Sequence, residues 1–537
     1  MNHIYNSESQ GNYSFKLCDA PSEPSPVYKP LHSVYALICF IFGYLFIRWL
    51  GMSSLGFSAF LFVGGFSIFS LVVMLVEYIP KKRKASLFSV LLLAINSLLS
   101  VVFLIAPGET ITFFTLLFEV LSYLIWYYIT FCENAGVLND TFFYDVIKAV
   151  FVMPFGSFIN IFPALIAPLK KGKAGKHIAY IFLGIAIAVI PGIIVIALLS
   201  SADPAFGKLV KSISDSVFGS SISEIILNFY IIVFSVPVAM YIFGMIYSNT
   251  EKRYSHILNE ASKRNHVESM SRLPVLMVCS ALIPLCLIYI LFFISQIGYY
   301  IDAFQKIIPS GYTAAEYARS GFFQLCAVAS INLFVILFAS VFSKKNSSKQ
   351  SAAIRILNVI LSVFTLILIA TAVRKMILYI ELYGFTRLRV LTSWFMLLLS
   401  VIFLFIIIRQ FKASFNAVLS SSIAFIIMFT VLCLVNVDAR IAELNVSMYR
   451  NGTLTTCDID SFYELSYSAA EYVIPLLSDE NTEVASSARS YLEYQADCIE
   501  KGYYTSNGWK DYTVSLLRIS ELLSEALGRE IIIGRKA

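Results

Sequence analysis

The sequence predicts an all-α protein, a polytopic bundle of about eleven transmembrane helices followed by a small helical soluble module. Three observations lead to this prediction. Hydrophobic residues make up 58% of the chain and charged residues only 14%, whereas a soluble globular chain carries about 25% charged residues. Eleven apolar runs are long enough to cross a bilayer, whose core of ~30 Å needs about 20 helical residues. After Val435 the composition changes to that of a soluble domain.

The apolar runs are too long and too evenly apolar for the strands of a membrane barrel, in which polar and apolar residues alternate. A further stretch at 141–169 is nearly as apolar but contains Asp145, Lys148 and several prolines. We interpret it as an interfacial or re-entrant segment, with a twelfth crossing as the alternative. The predicted spans lie at about 31–50, 55–79, 86–106, 111–131, 177–199, 222–247, 273–299, 321–342, 354–380, 389–409 and 414–435.

The placement of basic residues predicts the orientation. Alternate loops carry nineteen lysines and arginines and the opposite loops carry seven, and cytoplasmic loops hold the excess of positive charge. This predicts a multi-pass cell-membrane protein with a cytoplasmic N-terminus and an extracytoplasmic C-terminus. If 141–169 crossed, every later basic loop would face outward, so parity favours the re-entrant interpretation. The bilayer is the expected partner; basic residues confined to short loops do not indicate nucleic acid.

The chain divides into three predicted regions. Residues 1–30 are polar and rich in proline, which is typical of a disordered cytoplasmic leader. Residues 31–435 form the transmembrane domain. Residues 436–537 form an extracytoplasmic helical module with three amphipathic helices, from Asp458 or Asp460 to Pro475, from Glu483 to Glu500 and from Asp511 to Leu527. An extracytoplasmic location permits a disulfide between Cys457 and Cys498, with two free thiols as the alternative.

Motifs of enzymes and metal sites are absent from the sequence. There is no phosphate-binding loop, dinucleotide fingerprint or nucleophile elbow, and the five histidines have no metal-ligand spacing. We therefore predict no cofactor or metal and lean against an enzyme. A membrane transferase using outer carboxylates stays open, because it needs a paired acid and base whose separation a sequence does not give.

Glu119 is the charged residue nearest the middle of a predicted span. An ionised side chain at that depth costs several kcal/mol unless it is paired or hydrated. It is therefore a candidate proton relay or cation site, with a structural hydrogen bond to a neighbouring helix as the alternative. Arg374, beside Lys375, lies near the outer end of its span and either extends toward the interface or pairs with Glu119.

Several charged residues lie in segments that loop parity places on the outer face: Asp203, Glu316, Arg319, Arg387, Arg389 and Asp438. One interpretation is a binding site for an extracytoplasmic protein or small ligand. The other is a layer of ion pairs that docks the C-terminal module on the bundle.

Four of these segments also carry a family resemblance. They read Ser201-Ala202-Asp203-Pro204, Tyr317-Ala318-Arg319 followed by Gly321-Phe322-Phe323, Tyr383-Gly384 with Thr386 and Arg389, and Asn436 with Asp438 and Asn445. Over about residues 130–450 the chain resembles a bacterial family of multi-pass membrane proteins known only as a domain of unknown function. The resemblance implies a bacterial cell envelope and supplies no activity or catalytic residue.

These observations lead to two main functional hypotheses. The first is a non-enzymatic sensor or assembly subunit that binds a partner or ligand on the outer face. The alternative is a secondary transporter or flippase with Glu119 as the coupling group, supported by proline and glycine interruptions such as Pro191-Gly192 and Pro237 within spans.

Overall fold

The computed structural model describes residues 26–51, 55–105, 108–131, 142–167, 198–218, 222–253, 273–304, 322–343 and 348–534, with a few single positions between 184 and 196. Every regular element in these ranges is helical. Nine helices among the described residues are long and apolar enough to span a membrane, or ten if one bent pair is counted as a span. The prediction of an all-α polytopic bundle is confirmed.

Among the described residues, the first half of the chain contains ten α-helices, and these include five candidate spans, one of which is formed by α3 and α4 together. Helix α1 continues through a wider turn at Phe46–Leu50. The elements are α1 (Pro30–Leu45), α2 (Phe57–Tyr78), α3 (Leu87–Leu99), α4 (Val102–Ile105), α5 (Glu109–Phe131), α6 (Phe142–Ile147), α7 (Met153–Gly156), α8 (Ile161–Ile166), α9 (Pro204–Phe218) and α10 (Ile222–Thr250).

The second half of the bundle adds α11 (Val275–Phe304), α12 (Phe322–Phe342), α13 (Ser348–Tyr383), α14 (Arg387–Phe411) and α15 (Ala417–Leu434). Nine of the eleven predicted spans coincide with helices that meet the requirements for crossing a membrane. The predicted span 321–342 is helix α12, whose apolar stretch, Gln324–Ser340, is shorter. The predicted span 177–199, apart from a few positions after 183, and residues 1–25 of the predicted leader 1–30 lie outside the described residues.

Two apolar cores hold the bundle together. The first joins α1, α2, α3, α5 and α10 and is dense in aromatic rings; Phe42 packs on Phe62, Phe66 and Phe69 with centroids 5.1–5.6 Å apart. The second joins α11 to α14 around Leu361. Such interlocking large side chains give membrane helices the van der Waals contact that replaces the hydrophobic effect in lipid.

The segment Tyr144–Ile166 bends by 44° between Gly156 and Phe158 and lies against α10. Close approach requires glycine at 244, because a Cβ there would come within 2.1 Å of the Pro154 carbonyl oxygen. Ser248 donates to the Met153 carbonyl at 2.7 Å and so holds the bend on α10. The bend therefore forms part of the bundle wall.

An ion cluster joins the start of α1 to the end of α10. Lys29 Nζ and His32 Nε2 lie 2.5 and 3.2 Å from the same Glu251 oxygen, and His32 is fully buried. The hydrogen bonds from His32 and Lys29 outweigh burial and lower the pKa of Glu251 to about 2. The ionised carboxylate therefore clamps these two helix ends.

Residues 436–534 form a set of helices at the opposite end of the bundle. Two predicted helices are present as α18 (Thr482–Glu500) and α19 (Val514–Leu527), but the first predicted helix is a chain of 3₁₀ turns around a short α17 (Ala470–Val473). A helix absent from the prediction, α16 (Val437–Arg450), directly follows the last span. We call α16–α19 with their connecting turns the C-terminal module.

The C-terminal module shares one apolar core with the bundle. Leu99 and Val102 from the bundle pack in the same cluster as Phe462, Tyr491 and Leu523 from the module. Backbone and hydroxyl groups add direct links at this end: the Phe57 amide donates to the Tyr512 carbonyl at 3.0 Å, and Ser515 donates to the Ile105 carbonyl at 2.6 Å. The small size of the module is thus offset by burial against the membrane domain.

Candidate functional site

Glu119 lies on the buried face of α5 together with Thr112, Thr115 and Ser122. These positions follow the three- and four-residue spacing of one helix face, and all four side chains are buried. Glu119 is 1% exposed, and neither carboxyl oxygen has a hydrogen-bond partner in the part of the chain that the structure describes. An unpartnered buried carboxyl group is costly, which makes Glu119 a candidate functional residue.

The neighbouring polar groups on α5 are satisfied. Ser122 donates to Asn96 Oδ1 of α3 at 2.7 Å. Thr115 donates to the Ile111 carbonyl at 2.8 Å and contacts Cys433 Sγ of α15 at 3.2 Å. The predicted structural hydrogen bond from Glu119 to a neighbouring helix is therefore not formed within the described residues.

A cavity of about 470 Å³ adjoins Glu119. Its walls come from the wide turn after α1, from α2, α5 and α10, and from the bent segment. Seven of the sixteen described lining residues are aromatic: Phe46, Phe62, Phe66, Tyr123, Phe155, Phe158 and Tyr241. The cavity is partly open at the bundle surface, where Phe155 is 55% exposed. Its volume falls within the range of small-molecule sites, about 300–1,000 Å³.

Glu119 is the one charged side chain on the described wall of this cavity. The two tyrosine hydroxyls nearby are already engaged: Tyr123 bonds Ser67 Oγ at 2.5 Å, and Tyr241 donates to the Val150 carbonyl at 2.7 Å. A ligand here therefore meets an apolar, aromatic surface, and the single carboxyl group of the lining has both oxygens buried behind that surface.

The charged residues that we predicted on the outer face differ from Glu119, because Arg387 and Asp438 bind each other. Arg387 Nε and Nη2 donate to the two Asp438 oxygens at 2.9 and 2.6 Å. Asp438 is fully buried and also accepts from the Ser466 amide at 2.9 Å. Gly108, with φ +116°, borders the pair; a Cβ there would lie 2.5 Å from Asp438 Oδ2. This bidentate pair links α14 of the bundle to α16 of the C-terminal module.

Two asparagines of the same segment complete the link. Asn436 caps α16 by accepting from the Ala439 amide at 3.2 Å, as an N-cap residue does. Asn445 pairs with both backbone groups of Phe385, accepting from its amide at 2.6 Å and donating to its carbonyl at 2.9 Å. Arg389 is used locally, donating to the Tyr383 and Gly384 carbonyls at the end of α13.

The remaining predicted residues are not brought to this cluster. Asp203 is exposed and accepts from the Ala205 amide at 2.9 Å, at the start of α9. Glu316 and Arg319 lie outside the described residues. Arg374 is half-buried in α13 and makes no ion pair with Glu119, whose carboxyl oxygens have no hydrogen-bond partner among the described residues. Cys457 and Cys498 are free thiols, so the disulfide is not formed.

Sequence reasoning missed the C-terminal module's first helix and the aromatic wall of the cavity. A signal for α16 was available: Asn436 is a cap residue, and Val437, Ile441 and Val446 have helical spacing. For the cavity no such signal exists, because its wall joins residues far apart in the chain.

These observations define a polytopic α-helical membrane protein whose C-terminal module is docked on the bundle through a buried ion pair. Within the described residues no cluster of histidine, cysteine, aspartate or glutamate could hold a metal ion. The chain belongs to the family described as "Domain of unknown function (DUF4153)", whose model matches residues 65–476. The match begins in α2 and ends after α17, so it includes Arg387, Asp438 and Asn445, which link the module to the bundle. Neither curated proteins nor solved structures gave a match.

Proposed function

We propose that this protein binds a hydrophobic ligand inside the membrane, in the cavity beside Glu119, and moves it across the bilayer as a proton-coupled secondary transporter or flippase. The observation that carries the proposal is the unpartnered, buried Glu119 beside an apolar cavity. Intramembrane carboxyl groups that face a cavity are typical of coupling sites in transporters.

The surroundings of Glu119 support a coupling role. A carboxyl group there is stabilised either by a proton, which makes it neutral, or by a positive charge on the ligand. The other titratable groups that face it are Tyr123 on its own helix, Cys433 on α15 and Tyr241 across the cavity on α10. None of these side chains is a base at neutral pH, so Glu119 is the residue we assign to release its proton when the ligand binds and to regain it when the ligand leaves.

We further propose a bacterial cell-envelope location with the N-terminus cytoplasmic and the C-terminal module outside. The support is the basic-residue count of the loops together with the docking of that module at the bundle end opposite Lys29 and Glu251. In this orientation the leader and the His32–Glu251 clamp lie inside, and the Arg387–Asp438 pair lies outside.

The proposal is tested by measuring proton movement into or out of proteoliposomes that contain the protein. Purified full-length protein is reconstituted with a pH-sensitive dye in the lumen, and a panel of cationic, neutral and anionic hydrophobic solutes is added outside. We expect at least one class of solute to drive proton movement in the wild type and not in Glu119→Gln. Glu109→Gln is the matched control, because Glu109 lies on the same helix and is exposed. Absence of solute-driven proton movement in the wild type would contradict the proposal.

A second candidate function is capture of an extracytoplasmic partner by the C-terminal module. The observation that favours it is a set of exposed aromatic side chains on the module: Tyr494 (49%), Tyr503 (75%) and Trp509 (51%). Aromatic residues are enriched in binding hot spots. Crosslinking in intact cells to a photoreactive residue at 503, with Glu521 as the control position, would identify a partner or show that none is captured.

A further inference from the structure

The geometry points to the chemical class of the ligand: a lipophilic cation with one positive charge and a bulky apolar body, held by Glu119 and the aromatic wall of the cavity. This inference rests on the proposed function and narrows it.

The charge of the ligand follows from the charge of the wall. Glu119 is the one acidic residue on the described lining, and the same lining contains no lysine, arginine or histidine. An anionic ligand would face a carboxyl group with no compensating cation. The phosphate of a zwitterionic lipid headgroup would find no basic side chain on this lining to pair with its negative charge. A single cationic centre leaves no charge unpaired when it meets an ionised Glu119.

The aromatic content of the wall supports the same class. Seven of the lining residues are Phe or Tyr, drawn from the turn after α1, from α2, α5, α10 and the bent segment. Aromatic rings attract a cation through their quadrupole, by about 2 kcal/mol when the contact is desolvated. The same rings supply the contact area for an apolar body.

The hydrogen-bonding capacity of the wall excludes strongly polar ligands. The Tyr123 and Tyr241 hydroxyls already bond Ser67 and the Val150 carbonyl. A sugar, a peptide or a nucleotide would thus lose hydrogen bonds with water and regain almost none. The cavity is partly open beside the exposed Phe155, so an apolar ligand can enter it from the bundle surface.

The test is binding of methyltriphenylphosphonium to the full-length protein in lipid nanodiscs, measured with radiolabel and corrected with empty discs. Its neutral carbon isostere, with carbon in place of phosphorus, has the same shape without the charge. We expect the wild type to bind the cation more tightly than the isostere. Glu119→Gln should weaken cation binding by roughly 30-fold or more, because loss of one partner of a desolvated charge pair dominates affinity, while Glu109→Gln leaves it unchanged.

Each other outcome has a separate meaning. Equal binding of cation and isostere, insensitive to Glu119→Gln, would overturn the cation inference and leave the cavity as a hydrophobic site. Failure of both probes to bind, together with absent solute-driven proton movement, would overturn the proposed function as well. Retained binding of the neutral isostere in Glu119→Gln shows that this variant is folded, because the isostere does not use the charge. Val238→Trp narrows the cavity and leaves Glu119 in place, so it should weaken binding of both probes.

Discussion

Removal of Asp438 should undock the C-terminal module from the bundle. In the structure its carboxylate accepts two hydrogen bonds from Arg387 and one from the Ser466 amide, and it is fully buried. Asp438→Ala leaves the Arg387 guanidinium in place without its partner. Arg387 is only 26% exposed in its side chain, so solvent compensates for little of the loss.

The expected cost follows from this burial. Breaking a buried pair by removing one partner costs about 3–5 kcal/mol, most of it from the charge left behind. We assign the lower end, about 3 kcal/mol, because the guanidinium keeps some contact with water. That free energy raises the population of the undocked state by roughly 100-fold. Arg387→Met in the Asp438→Ala background should recover part of the stability, because the double variant buries no lone charge.

The assay is the rate at which Cys457 reacts with a maleimide, read by mass spectrometry of its peptide. Cys457 is a buried member of the core that the C-terminal module shares with the bundle, and burial raises the pKa of its thiol to about 11. The docked thiol therefore reacts slowly, and undocking exposes it. We expect Asp438→Ala to accelerate labelling by roughly 100-fold.

The matched control is Arg440→Ala, which breaks the exposed pair with Glu443 on the same helix. Exposed pairs contribute about 0–1 kcal/mol, so this variant should label almost as the wild type does. If Asp438→Ala also labelled at the wild-type rate, the ion pair would not be what holds the module.

Three further predictions concern other contacts. Gly108→Ala should undock the module, because the alanine Cβ would lie 2.5 Å from Asp438 Oδ2 and the backbone φ is +116°. We expect strain of about 1–3 kcal/mol and faster labelling of Cys457. Unchanged labelling would refute this prediction. Gly244→Ala should lower the thermal unfolding temperature and reduce binding of methyltriphenylphosphonium, since a Cβ 2.1 Å from the Pro154 carbonyl oxygen pushes the bent segment off α10. Normal binding would show that the cavity does not depend on the contact between the bent segment and α10. The pKa of Glu251 is lowered from 4.5 to about 2, so its ionised carboxylate stabilises the protein above pH 4.5 and this stabilisation is lost as the pH falls toward 2. Glu251→Gln should therefore destabilise the protein by at most about 3 kcal/mol at neutral pH and by little at pH 2. A difference in melting temperature that does not change with pH would refute this.

The spans could be predicted because the bilayer imposes a strong and local requirement. A run of about 20 apolar residues has few alternatives to a membrane helix. The family resemblance likewise agreed with the family match, which extends over 65–476. The module helices α18 and α19 were predictable from caps and periodicity, since Asn481 and Thr513 each accept from a backbone amide at the helix start.

The prediction of the first module helix was wrong because of a contact with a distant residue. Between Asp458 and Pro475 the chain folds as short 3₁₀ turns, because Ser466 donates its amide to Asp438 rather than to a preceding carbonyl. A tertiary contact with a residue 28 positions earlier thus overrides the local pattern. Nothing in the segment itself records that contact.

The candidate site was predictable in part. Glu119 stood out as a carboxyl group within a span, and Arg387 and Asp438 as charges on one face. The pairing of those two charges, and the aromatic wall contributed by Phe62 and Tyr241, depend on which helices are neighbours. Helix neighbours arise from packing between distant segments, and one sequence does not specify them.

Photolabelling with a diazirine-bearing lipophilic probe in nanodiscs, followed by mapping of the adducts, tests whether the cavity beside Glu119 is a ligand site. We predict saturable adducts within 62–66, 116–124 and 237–245, which line the cavity, and their loss in Val238→Trp. Adducts spread over lipid-facing positions such as Phe113 and Leu291, without saturation and unchanged in Val238→Trp, would contradict it.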